Sequence, residues 1–102
     1  MKKFVFIYNG PQATEKPADD TMDKWMKWFG DLGEKLVDGG NPFGGDVKEV
    51  AGDGVKAVTE NRALGYSIVN AQSMDEAIEM AKGCPNVGYD GYSVTVYEAF
   101  PM

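Results

Sequence analysis

A chain of 102 residues with 43% apolar, 12% aromatic and 25% charged side chains has the composition of one globular domain, residues 1–102, able to bury roughly two-thirds of its unfolded surface in a single core. Ten basic against sixteen acidic side chains leave a formal charge of −6, which opposes the phosphate contacts of nucleic-acid binding and attraction to an anionic membrane. One cysteine cannot form an intrachain disulfide, and no stretch approaches the ~20 apolar residues of a membrane-spanning helix, so a reducing, cytoplasmic setting is expected.

The opening MKKFVFIYNGP puts Phe4, Phe6 and Tyr8 on one face of a strand and Val5 and Ile7 on the other. Its apolar run is too short for a signal peptide. A strand apolar on both faces belongs in the middle of a sheet covered on both sides. NGPQATEKPAD, with a glycine and two prolines among polar residues, reads as a loop. From about Asp20 to Val37 the residues Met22, Trp25, Met26, Phe29, Leu32, Leu36 and Val37 fall in one stripe at helical spacing, which predicts an amphipathic helix closed by Gly39-Gly40. Trp28 lies at the edge of that stripe and is expected to cover a rim or an interface.

NPFGG is a turn, and VKEVAGDGVKAV holds two short valine-containing segments around Gly52-Asp53-Gly54, a hairpin-like excursion. LGYSIVNA is a clearer strand. Ser73 and Glu76 form a capping box for a second helix, with Met74, Ala77, Ile78 and Ala81 as its buried stripe, Gly83 to stop it and Pro85 to prevent its resumption. GYSVTVYEAF is the last strand, with Tyr92, Val94 and Val96 on one face and Ser93, Thr95 and Tyr97 on the other.

The order β-α-β-(β)-β-α-β predicts an α+β fold of ferredoxin-like β-α-β-β-α-β type, an antiparallel sheet with two helices on one face. Two helices cover one face only. Because the first and last strands carry large side chains on both, the other face is expected to meet a second copy, making a homodimer.

Candidate chemistry is sparse. The chain has no histidine, the commonest general base and metal ligand, and with one cysteine it offers no Cys/His metal site; neither metal nor cofactor is expected. Asp19, Asp20 and Asp23 read as helix-start residues rather than a cation cluster. GGNPFGG and GDG lack the features of a phosphate-binding loop. Cys84 follows a helix C-terminus, where the dipole disfavours a thiolate, and reads as a small packing residue. Tyr8 at a strand end, Trp28 at the helix margin, Asn41 and Phe43 in a Gly-rich turn, and Tyr66 at the start of a strand could together line a ligand pocket between the sheet and the first helix.

GYSIVNAQSMDEAIEMAKGCPNV followed by GYSVTVYEAF resembles the C-terminal half of YCII-related (DGPF-type) domain proteins. There a strand, a Ser/Asp-capped helix, a Cys-Pro or Asp-Pro and a Val-rich strand recur. KKFVFIYNGP, the Trp-rich helix and LVDGGNPFGG fit the same pattern over nearly the whole chain. The resemblance implies a dimeric α/β barrel in which two ferredoxin-like sheets pack face to face, and it makes the Cys84-Pro85 pair punctuation after the second helix. Members with a proposed active site carry a histidine in the first helix and an aspartate before the proline. This chain has no histidine and has Cys84 at the aspartate's place, and TENRALG stands roughly where the DGPF stretch would lie, so no catalytic pair carries over. Three functions stay open: a dimeric, non-catalytic small-molecule-binding or accessory protein, a cofactor-free enzyme that positions a small aromatic or lipophilic substrate for oxygenation or elimination, and a purely structural dimer.

Overall fold

The computed structural model describes residues 1–11, 21–58 and 62–102. In chain order these form β1 (Lys2–Gly10), α1 (Met22–Leu32), β2 (Leu36–Asp38), β3 (Lys48–Ala51), β4 (Gly54–Ala57), β5 (Arg62–Ala71), α2 (Met74–Lys82) and β6 (Ser93–Ala99). Short 3-10 turns follow the two helices at Gly33–Lys35 and Pro85–Gly88. Strands β2, β5, β1 and β6 lie in that order in one antiparallel sheet, while β3 and β4 make a separate hairpin. This is the ferredoxin-like arrangement with a hairpin inserted between β2 and β5. Among the described residues, no helix is long and apolar enough to cross a membrane.

Alternation in β1 positions the core. Phe4, Phe6 and Tyr8 are buried and join Val69 and Ala71 of β5 with Trp28 and Leu32 of α1 and Ala77 and Ala81 of α2 in one cluster, so both helices cover the same face. On the other face Val5 stands between Ile68 and Tyr97, and Ile7 between Tyr66 and Thr95. Both helices lie on the opposite side, and of these two rows Tyr66 is met by the Phe43 ring.

The first helix is shorter than its periodicity suggests. It begins after Thr21, whose hydroxyl accepts from the Lys24 amide, and ends at Gly33, which takes a left-handed φ of 57° while its N–H returns to the Phe29 carbonyl. Leu36 keeps helical spacing but pairs with Val69 as strand, because apolar spacing cannot distinguish the end of a helix from the start of a buried strand. Asp19 and Asp20 lie outside the described residues; Asp23 is in the first helical turn. The buried face of α1 is also turned from the predicted stripe. Met22 and Met26 are 69% and 59% exposed, whereas Trp28 is 5% exposed and belongs to the core, not to a rim.

Trp28 holds its place by chemistry as well as size. Its indole N–H donates to the Met80 carbonyl at 3.0 Å, satisfying an acceptor near the end of α2, and its ring would stand 3.3 Å from a Cβ on Gly83, a tight contact. In α2 the Ser73 hydroxyl accepts from the Glu76 amide, while the Glu76 carboxylate accepts from the Gln72 amide, one residue before the partner a standard capping box uses. The buried stripe is limited to Ala77 and Ala81; Met74 and Ile78 are more than a third exposed.

Candidate functional site

At the end of β1, the Tyr8 hydroxyl donates to Ser67 Oγ at 2.7 Å, and Ser67 donates in turn to the Gly39 carbonyl at 2.7 Å. Ser67 is fully buried on β5, so this chain ties the strand to the loop after β2 and satisfies polar atoms that would otherwise be costly to desolvate. Burial pushes the Tyr8 phenol well above its usual range; the Ser67 hydrogen bond opposes this, and Cys84 adds a smaller upward contribution. The phenol is therefore protonated at neutral pH. It is a donor held in a core, not a base waiting for a substrate.

The region first expected to be a pocket is filled by rings. Tyr8 meets Trp25 edge-on at 4.9 Å and Trp28 at 6.3 Å, and Trp28 lies 5.4 Å from Phe29. Cys84 packs into the same cluster at 3% exposure and starts the 3-10 turn that Pro85 continues. Beside this cluster an open cleft of about 320 Å³ runs between α1 and that turn, with Trp28, Lys24, Lys27, Pro85 and Tyr89 among its walls.

Of the five residues predicted to converge, the structure makes two pairs. Tyr8 and Trp28 lie on the helix-covered face. Tyr66, paired with Ile7, points to the uncovered face, where Phe43 stacks on it with ring centres 5.8 Å apart. Asn41 is exposed on the loop between them, its carbonyl near Gly65. A loop that approaches a strand so closely needs room. A Cβ on Gly40, whose φ is 74°, would fall 1.8 Å from the Tyr66 carbonyl oxygen. Past it, Pro42 bridges to Gly65 and the Phe43 amide donates to the Leu64 carbonyl at 2.7 Å, so Phe43 is held at the sheet margin.

Phe43 is also a wall of a larger open cleft, about 640 Å³, between this loop and the base of the hairpin. Arg62, Lys48, Asp46, Val47 and Pro42 complete most of it. One guanidinium N–H of Arg62 donates to the Gly45 carbonyl at 3.4 Å, which anchors the side chain along the cleft. Arg62 and Lys48 were not singled out from the sequence. The one available signal was that Arg62 is the only arginine in an acidic chain.

The family model for the YCII-related domain matches residues 1–101. The chain belongs to the YCII-related domain family. No curated protein and no solved structure matches it significantly. In this YCII-related domain the pre-proline position is the buried Cys84, and the loop that carries Phe43 delimits the larger cleft.

Proposed function

We propose that this YCII-related protein acts as a cytoplasmic homodimer that binds a small molecule and performs no acid–base catalysis of its own. The observation that carries the binding reading is the cleft beside Phe43. Its volume of about 640 Å³ suits a small organic ligand, it offers the face of Phe43 backed by Tyr66, and it sets two cations, Arg62 and Lys48, against one acid, Asp46. A small aromatic or lipophilic compound carrying an acidic group matches that lining, the ring on Phe43 and the anion at the planar guanidinium. Phe43, Arg62 and Lys48 would make the contacts, with Tyr66 stacked behind Phe43 and Asn41 on the loop just before it; Tyr8 and Trp28 support the fold on the other face of the sheet.

The dimer reading rests on the uncovered sheet face, where the rows Ile68–Val5–Tyr97 and Tyr66–Ile7–Thr95 present apolar surface to solvent. Packing that face on a second copy gives a two-sheet barrel. A panel of aromatic carboxylic acids and their amides, titrated while backbone amide NMR shifts are followed, tests the site. Shifts confined to residues 42–48 and 62–63, and lost in Phe43→Ala, are expected. Shifts that persist in that variant, or none with any compound, would remove the cleft as the binding site.

A further inference from the structure

The β3–β4 hairpin has two chemically different faces, and neither is buried against the described residues. Val50 lies directly opposite Val55, with Lys48 opposite Ala57 on the same side, while the reverse side carries Glu49 opposite Lys56, joined in an ion pair at 3.2 Å. All eight strand residues are exposed; Val50 is 76% and Val55 66% accessible. Strands of four residues in an isolated two-stranded hairpin have little stability in water. An amphipathic hairpin of this kind needs something to cover its valine face.

The fold indicates where that cover lies. The loop that leads into the hairpin lies on the uncovered side of the sheet, because Phe43 stacks on Tyr66 there and its amide bonds to Leu64. The hairpin is thus rooted at the rim of the face assigned to the second copy. Interface area points the same way. Four strands about 4.8 Å apart, with roughly seven residues each at ~3.3 Å, give a sheet face of ~450 Å² in projection. A stable interface of ordinary size takes ~800 Å² from each partner. A face studded with side chains exposes more accessible surface than its projection, so the sheet supplies much of that area and an apolar element at its edge enlarges it. The molecule's extents of 39 × 39 × 19 Å, a flat shape with the hairpin detached from the sheet, fit a half-assembly.

We infer that the hairpin is a clasp: in the homodimer, the Val50–Val55 face of each protomer closes over the second copy beside the paired sheets. This rests on the dimer reading above and adds an arm to it. The occupant is a second copy of this chain.

Sedimentation equilibrium on the full chain, compared with Val50→Lys/Val55→Lys and with Ile7→Lys in the sheet face, tests it. Both valines are exposed in the protomer, so the double variant is expected to keep its circular dichroism spectrum while its dimer dissociation constant rises roughly tenfold or more. Hydrogen exchange gives an independent readout: amides of residues 48–57 should be protected at high concentration and lose that protection on dilution into monomer. A dimeric wild type whose dissociation constant is unchanged by the double variant overturns the clasp and leaves the dimer intact. A wild type that is monomeric at micromolar concentration overturns both. Hairpin amides whose exchange is independent of concentration across the dissociation range also overturn the clasp.

Discussion

The two faces of the four-stranded sheet come from the same strands, and in β1 they alternate residue by residue. Phe4 and Phe6 are fully buried beneath the helices, while Val5 and Ile7, their immediate neighbours, stay partly exposed. Both sets are apolar. What separates them is not hydrophobicity but the supply of elements: the described residues form two α-helices, and both pack on one side. Apolar alternation therefore says that each face will be covered, and the count of helices says that one of them will not be covered from within.

The sharpest way to break this comparison is to remove equivalent bulk from each side. Phe6 is fully buried and stacks on Trp28 at 6.0 Å, so Phe6→Ala should destabilise the fold by about 3–5 kcal/mol in denaturant unfolding. Ile7→Ala, measured at concentrations that favour the monomer, should cost about 1 kcal/mol, because its site is already partly open to water. Equal losses would mean that the uncovered face is packed as tightly as the core within one protomer.

A smaller effect tests the seam where the two faces meet. Gly40→Ala places a methyl against the Tyr66 carbonyl in a left-handed backbone, and should cost about 2 kcal/mol. It should also displace Phe43 from Tyr66 and weaken ligand-induced NMR shifts in the cleft, whereas a change confined to stability would separate the loop from the site.

The smallest effect lies on the covered side. Tyr8→Phe deletes the hydrogen bond to Ser67 and should cost about 1 kcal/mol near neutral pH. Because burial raises the folded-state value, the unfolded phenol, with its ordinary value of 10.0, ionises first. The advantage of wild type over Tyr8→Phe is thus complete below pH 10 and is lost as the pH climbs beyond it. Denaturant unfolding of the pair across that range measures the difference; an advantage that grew with pH would contradict a buried, protonated phenol.

Much of the secondary structure was legible in local chemistry. The Ser73 cap, the proline after Cys84, the Gly52-Asp53-Gly54 hairpin and the alternation of β1 and β6 are all found where short-range rules place them. The end of α1 was not legible, since Leu36 and Val37 preserve a helical spacing while serving a strand. The candidate site was legible only in part. Phe43 and Tyr66 do meet, but Tyr8 and Trp28 are sent to the other side of the sheet, because strand alternation gives opposite faces to Tyr66 and to the Tyr8-facing Gly65. Arg62 and Lys48 come together at one cleft from positions 14 residues apart in the chain, a closeness that depends on how the hairpin is rooted.

By itself the sequence determined the order of the elements other than β2, the caps and turns that bound most of them, and the excess of apolar strand surface over what two helices can cover, because those properties depend on residues within a few positions of one another. Only the tertiary structure decided that Trp28 is core, that the five pocket candidates divide between two faces, and that every strand residue of the hairpin is exposed. Those outcomes depend on which strand pairs with which and in what register, and a one-residue shift in register would have reversed every side chain's face.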